Sequence, residues 1–373
     1  MNIAFALGHE LAFPPSRGGG VNSLLESLCG ALAAEGHSIT AYSPLFASKA
    51  ASETIDGVRH IRLKGSQRRP NNLINALCGL PYALAIHSKL ERCDVLSCHM
   101  LHSFLFSSAQ NARVVTHTVH RDPKPFLTLF RWLDRIYTGS DAVSEQARIV
   151  APVLAHKVRT VHNCVDFRGY ELPVPSAAPT LRFIFVGRFS QDKGVDILIR
   201  AFVAAAKLEP KIQLALVGPN EAKDGGDEGL VETCRAYIEA ERMGDRVAIE
   251  PPIFDRARLD ERIRDSDVVC LPSVRGETLN MSIIESMRLA KCLLISDLPA
   301  NTPLVRTGYN GFFAHTGDES DWTRMILHLA ANRDQMAILG ANAFRYGSET
   351  FSAKRIARDY LADFNSLLEK SKR

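Results

Sequence analysis

No apolar run in the 373 residues approaches the roughly 18–20 uninterrupted residues that a membrane-spanning helix needs. The best stretch, 73–86, is broken by Asn75, Gly79 and Pro81. A basic segment followed by an apolar core and a small-residue cleavage site is also missing, so no secretory leader is expected. The eight cysteines include no Cys-x-x-Cys pair, and Cys93 and Cys98 lack the spacing of a zinc ribbon. They read as reduced, mostly buried thiols, and the chain is expected in the cytoplasm. Charge of one sign is scarce as well. The 45 Lys+Arg stand against 41 Asp+Glu, a net +4 without the dense basic patch of a nucleic-acid binder, so nucleic acid is not an expected partner. With 46% hydrophobic and 23% charged residues, and no low-complexity tract or short repeat, disordered, collagen-like and coiled-coil classes are excluded. The length suits two domains.

What is there is an alternation of short apolar runs with segments of helical period, the pattern of repeated βαβ units and parallel sheets. Residues 3–7 read as a buried strand. After a loop over 8–20, Val21, Leu24, Leu25, Leu28 and Leu32 make one helix face, which Gly36 ends. Further strands are expected at 38–42, 58–63, 95–98, 114–117 and 136–138. Residues 167–180 carry Pro173, Pro175 and Pro179 without periodicity and read as a linker. A second alternation follows, with strands at 181–186, 212–217, 247–250, 268–271 and 293–296 and a helix face of Val195, Leu198, Ile199, Phe202 and Val203. The last segment, 352–370, reads as an amphipathic helix with Ser352 as N-cap. The expected organisation is therefore a first α/β domain over 1–166, a linker over 167–180, a second over 181–350, and a closing helix in 351–373. In doubly wound sheets ligands bind beyond the carboxyl ends of the strands, at loops that lead into helix N-termini.

Four such loops carry chemistry. Residues 271–285 follow a strand and open a helix; Glu277 and Glu285 flank Thr278, Leu279, Asn280 and Met281, whose N–H groups at a positive helix end suit a diphosphate. The same residues have a local reading, in which Ser282-x-x-Glu285 is a capping box and Glu277 a solvated carboxylate. Gly187, Arg188, Lys193 and Gly194 lie on another strand-to-helix loop: a guanidinium fork and a mobile ammonium for phosphate oxygens, or an ordinary exposed basic pair. Gly18, Gly19 and Gly20 precede the first long helix and permit close backbone approach, but they do not form Gly-x-Gly-x-x-Gly, and strand 38–42 ends without a ribose-binding acid. His120 follows a strand end, either facing a ligand or serving structure. His99, His102, His117 and His120 lack metal-ligand spacing, so no metal is expected. The segment 62–92 mixes Lys, Arg and His with apolar residues; it reads either as a surface that rests on an anionic membrane or as an ordinary helix with solvated charges.

Taken together, Gly19-Gly20, Gly36-His37, Thr118-Val119-His120, Ala142-Val143-Ser144-Glu145, Asn163-Cys164-Val165-Asp166, Gly187-Arg188 with Lys193-Gly194, the pair Glu277 and Glu285, and Asn310-Gly311-Phe312 resemble the retaining glycosyltransferases of the GT-B fold, family 4. The resemblance covers nearly the whole chain. It implies two Rossmann-like doubly wound domains facing each other across a cleft, with the last helix crossing back to the first domain. It also implies a nucleotide-sugar donor, expected to be a UDP-sugar, a hydroxyl acceptor held by the first domain, and no metal or other cofactor. In that scheme Arg188 and Lys193 clamp the diphosphate beside Gly187, Glu285 binds the ribose, and Glu277 holds the sugar. Backbone N–H groups of Thr278, Leu279, Asn280 and Met281 meet sugar and phosphate, His120 contacts the transferred sugar, and Gly18, Gly19 and Gly20 shape the loop near phosphate and acceptor. The chain departs from the family at Thr278-Leu279-Asn280-Met281-Ser282, often Gly-Phe-Gly-Leu-Pro, and at Ala290-Lys291-Cys292, often Gly-x-Pro. Asn163-Cys164-Val165-Asp166 is often Asn-Gly-Val-Asp. These changes leave the donor sugar open. An epimerase or phosphorylase of the same fold and a non-catalytic nucleotide-sugar-binding subunit remain as alternatives.

Overall fold

Residues 1–15, 19–46, 49–66, 72–108, 110–172 and 179–371 are described in the computed structural model, and they fall into two units. The first joins Met1–Asp166 to Ser352–Arg373; the second is Phe167–Phe351.

The first unit runs β1 (Asn2–Leu7), α1 (Gly20–Ala34), β2 (Ser38–Leu45), β3 (Ser52–Ile55), β4 (Val58–Lys64), α2 (Asn72–Lys89), β5 (Cys93–His99), β6 (Ala112–Val119), β7 (Arg135–Thr138), α3 (Asp141–Val150) and β8 (Val158–Thr160). Among the described residues these strands form an eight-stranded sheet in the order β3-β4-β2-β1-β5-β6-β7-β8. Only β3, a hairpin partner of β4, runs antiparallel. The central strands are apolar along their length because both sheet faces are covered, and β1 is buried from Ile3 to Leu7.

The second unit runs β9 (Leu181–Val186), α4 (Val195–Leu208), β10 (Ile212–Val217), α5 (Glu228–Ala240), β11 (Val247–Glu250), α6 (Arg256–Arg264), β12 (Val268–Leu271), α7 (Met281–Arg288), β13 (Cys292–Ser296), β14 (Gly311–Ala314), α8 (Glu319–Ala331) and α9 (Met336–Thr350). Its described strands form a six-stranded parallel sheet, β11-β10-β9-β12-β13-β14. Chain order reverses between β9 and β12, where Phe183 and Ile184 pair with Val268 and Val269. The loops leaving these two strands therefore lie side by side at the switch point, the usual place for a ligand.

The chain then returns to the first unit as α10 (Ala353–Lys370), which packs on α1 and β6. Its anchor is Asp363, 1% exposed. The carboxylate accepts from Arg135 Nε at 2.8 Å, Arg159 Nη1 at 2.5 Å and the Tyr137 hydroxyl at 2.7 Å. Ser352 occupies the cap position of α10 but its side chain makes no cap hydrogen bond. The start of the helix is set instead by the backbone, through Ala353 N–H to Val165 O at 2.9 Å.

The stretch expected as a linker is not a free tether at its start. Phe167 packs edge-on to Phe344, and the Tyr170 hydroxyl donates to Asp260 at 2.7 Å while Arg288 stacks on its ring at 4.2 Å. Both residues thus belong to the second unit; 173–178 lie outside the described residues.

Histidines of the first unit, His60, His99, His117 and His120, give it a pH dependence, since burial lowers each of them. Burial, then the Arg62 charge, holds His60 at about 4, and burial, then His120, holds His117 at about 3. The unfolded chain takes up these protons near 6.5. A folded value below the unfolded one means the stabilisation is complete above the unfolded value and is lost as pH falls through the window below it. Denaturant melts of the first unit should be flat above about pH 6.5 and weaken below it by up to about 1.4 kcal/mol per pH unit for each histidine. A pH-independent midpoint across that window would contradict this.

Candidate active site

At the switch point of the second unit, glycines let two backbones meet. Gly187 N–H donates to Val217 O at 3.1 Å, and a Cβ on Gly218 would lie 1.8 Å from Gly187 O. After Gly187 the chain turns through the 3₁₀ segment Gln191–Lys193 and enters α4 at Gly194, whose φ of 64° is left-handed. A Cβ there would meet Pro272 O at 2.2 Å, and Val274 N–H donates to Asp192 O at 2.9 Å. Only glycine allows this approach, and it docks the β9–α4 loop against the β12–α7 loop.

The docking brings together residues far apart in sequence. Lys193 Nζ sits 2.5 Å from Glu277 Oε1. The same oxygen accepts from Ser273 Oγ at 2.7 Å and Asn280 Nδ2 at 3.1 Å. Both members of the ion pair are largely buried, so the attraction is less screened than on an open surface. Arg188 is half-exposed; its Nη1 donates to Gly225 O at 3.1 Å and its Nη2 lies 3.5 Å from Asp192 Oδ2. Gly187, Arg188, Lys193, Glu277, Thr278, Leu279, Asn280 and Met281 thus all belong to the two abutting loops. Leu279 is buried, so it offers the site only its backbone.

One local reading is corrected. Ser282 does not cap α7: Asn280 is the N-cap, with Oδ1 accepting from Ser282 N–H at 3.0 Å. Ser282 lies inside the helix, where its carbonyl accepts from Ser286 Oγ at 2.6 Å. Asn280 therefore joins the helix end to Glu277, one side chain serving both.

Glu285, one helical turn on, accepts from Arg256 Nη1 at 2.8 Å. Arg256 Nε is 3.3 Å from Asp260, which also holds Arg288 at 2.9 Å and the Tyr170 hydroxyl. Burial lowers and Glu285 raises the affinity of Arg256 for its proton, and the net effect is upward, so the guanidinium stays charged beside Glu285. Ser273, Asp192, Arg256 and Asp260 escaped the sequence reading. Each is a common polar residue on a loop or helix start, and nothing local marks its partner.

In the first unit, Gly19 has a φ of 115° and starts α1, with Ser23 N–H donating to its carbonyl at 3.0 Å; Gly20 is the first helical residue. Gly18 lies outside the described residues. His120 follows β6, and its Nε2 is 2.8 Å from Nδ1 of His99 at the end of the neighbouring β5. His99 in turn reaches Ser97 Oγ at 3.0 Å and stacks on Phe5. His117 pairs with Ser103 Oγ at 2.8 Å. Burial, and less strongly Arg121, lowers His120 to about 4, so it offers a neutral imidazole. Among the described residues no three His, Cys, Asp or Glu side chains are grouped to hold a metal ion.

Comparison with known proteins follows the same division. Residues 18–168 match the family Glycosyltransferase Family 4, and residues 175–346 match Glycosyl transferases group 1. A phosphatidyl-myo-inositol mannosyltransferase from Mycobacterium leprae is 24% identical over 373 residues, covering 92% of each chain. Sucrose-phosphate synthase from Thermosynechococcus elongatus is similar in structure, with a TM-score of 0.77 at 19% identity and 99% of both chains covered. HepE from Anabaena, solved with UDP and glucose, has a TM-score of 0.75 at 17% identity, covering 98% of this chain and 100% of its own. The two doubly wound α/β units expected from the alternation are the GT-B architecture of these structures.

Proposed function

Since the chain belongs to the group 1, family 4 glycosyltransferases and is an enzyme of that class, we propose that it moves a sugar from a UDP-sugar to a hydroxyl acceptor, with retention and without a metal ion. The observation that carries this reading is the cluster of Lys193, Glu277 and Asn280 at the head of α7, on the switch point of the sheet.

Breaking the anomeric bond loads negative charge onto the departing diphosphate, and groups already in place must stabilise it. The Lys193 ammonium and the Arg188 guanidinium do so, each charge-assisted hydrogen bond contributing about 1.5–3 kcal/mol. Backbone N–H groups of residues 278–281 add the positive end of α7. Glu277 balances Lys193 until the diphosphate shares the ammonium, and its carboxylate then accepts from sugar hydroxyls. With three donors converging on Oε1, Glu277 is a holder of the sugar and a poor nucleophile. Retention then arises from the acceptor attacking the face that the diphosphate leaves. Glu285, which accepts from Arg256, binds the ribose. The Met1–Asp166 unit, which carries His120, receives the acceptor. Uracil as the base is supported by the complex of HepE with UDP and glucose.

A thermal-shift panel of UDP, GDP, ADP and their sugar conjugates tests the donor half. UDP at about a hundred times its Kd should add roughly 2.7 kcal/mol of stability. A shift with GDP or ADP in its place overturns the choice of base, and no shift with any nucleotide overturns the reading. Turnover that vanishes in EDTA and returns with magnesium overturns the metal-free mechanism.

A further inference from the structure

Helix α2 is apolar on two opposite faces. Gly79, Tyr82, Ala83 and Ile86 face inward and are buried. On the other side Leu73, Leu77, Leu80 and Leu84 fall at spacings of four, three and four, a single stripe along the helix. Leu73 is 71% exposed, Leu77 62% and Leu84 52%. The helix contains no acid, and its one Lys or Arg is Lys89 in the last turn. A helix at a protein–water boundary carries polar residues outward; this one does not.

The stripe continues over neighbouring elements. The 3₁₀ segment Leu101–Ser108 packs on α2, through Phe106 against His87, and on the segment Pro125–Phe130. There Phe126, Leu129 and Trp132 are exposed, Trp132 at 67%, and Leu129 and Trp132 line a hollow of about 340 Å³ together with Phe104, Thr128 and Arg131. Trp132 is held out on a fixed backbone: Lys157 Nζ donates to Arg131 O at 2.7 Å and Leu133 O at 2.8 Å. The Arg131 guanidinium lies 4.9 Å over its ring. Exposed Lys89, Arg92, Arg121, Lys124 and Arg131 flank the surface. Of the acids nearby, Glu91 is paired with Arg59, and Glu10, which accepts from Asn75 of α2, with Asp122 and Asp134 stand against the five cations, so the rim stays net positive.

We infer that this face of the first unit, the outer stripe of α2 with Phe126, Leu129 and Trp132, lies in the headgroup region of an anionic lipid bilayer. It rests on the transferase reading only in that an acceptor is met there. The net positive rim around the apolar stripe is complementary to anionic headgroups above acyl chains, and this charge match is what favours lipid over a protein partner. A bilayer asks for an apolar face, an amphipathic aromatic and a basic rim, and all three are present. Among the described residues no helix is long and apolar enough to cross a membrane, so the face lies on the surface.

Trp132 makes the test direct, because the other of the two tryptophans, Trp322, is fully buried. Mixed with phosphatidylcholine vesicles containing phosphatidylglycerol, the full chain should float with the lipid. Its tryptophan emission should shift to the blue and be quenched by brominated acyl chains. In Trp132→Phe the quenching should disappear while flotation persists. The triple change Leu73→Gln, Leu77→Gln and Leu84→Gln should weaken flotation at least about tenfold with an unchanged Tm, since these side chains are exposed in the fold. Unaltered flotation of the triple variant, equal binding to pure phosphatidylcholine, or lipid-free dimers that the triple change dissolves would each overturn the proposal. The UDP thermal shift measured on the same variants reads the donor site separately, so failure of either idea leaves the other visible.

Discussion

Replacing Lys193 by alanine is expected to lower kcat about 10²–10³-fold, the size of effect seen when one preorganised donor to a developing anion is removed. The ammonium does two things in this geometry. It neutralises Glu277 at 2.5 Å, and it is one of two side-chain cations on the loop that meets the helix head. Alanine removes both, leaving a carboxylate that still accepts from Ser273 and Asn280. Those two hydrogen bonds and the partial exposure of the lysine limit the folding cost to about 1–3 kcal/mol, the range for a buried acceptor that loses one partner. Kinetics and melting are therefore expected to part company. Lys193→Arg, which keeps the charge but changes its reach, should fold like the parent and recover only part of the rate. A Lys193→Ala enzyme with near-parental kcat and a lowered Tm would show that the ion pair is structural and that the diphosphate is stabilised elsewhere.

The second large effect belongs to stability. Asp363→Ala should destabilise the first unit by about 3 kcal/mol, because it leaves the largely buried Arg135 without its acid, while the half-exposed Arg159 can turn to water. For a unit of this size that corresponds to a fall in Tm of roughly 10 °C. Asp363→Asn keeps an acceptor for the Tyr137 hydroxyl and should cost less. Because Asp363 is the polar anchor of α10, limited proteolysis should release the C-terminal helix first in the alanine variant. An unchanged Tm would mean that the apolar contacts of Ile356, Tyr360 and Phe364 hold α10 without it. The two predictions separate cleanly: one variant loses rate and keeps most of its fold, the other loses fold and keeps its donor loops.

How far the residues could be read before folding depended on burial. The strands Leu181–Val186, Ile212–Val217 and Val268–Leu271 begin and end where their apolar runs do, and Val247–Glu250 extends one residue past its run. Three of them are interior to a parallel sheet covered on both faces, so no polar position interrupts the signal for long. The three strands that the alternation does not announce are β3, β8 and β14, all of three or four residues and all at a sheet edge. An edge strand has one covered flank and tolerates Glu53, Thr54 or Arg159, so its pattern resembles a loop. The cap of α7 was misread for a related reason. Ser282-x-x-Glu285 satisfies the capping pattern, yet Asn280 has the extended backbone (φ −71°, ψ 113°) that a cap requires and a side chain that reaches Ser282 N–H. Two residues of the right type competed, and the path of the loop decided between them.

The same division runs through the site. From composition and periodicity came two doubly wound units and the strand-to-helix loops as the place for chemistry, and loop position marked Arg188 and Lys193; the roles of Glu277 and Glu285 came from the family resemblance, which also depends only on local order along the chain. Which charge meets which was settled by the fold. Lys193 and Glu277 are 84 residues apart and touch because β9 lies beside β12 and Gly194 has no side chain to hold Pro272 away. Glu285 finds Arg256 across α6 and α7, and Asp363 finds Arg135 across 228 residues because the chain returns to the first sheet. Strand order is a property of the whole sheet's packing, so the pairs it creates leave no mark in any window of sequence.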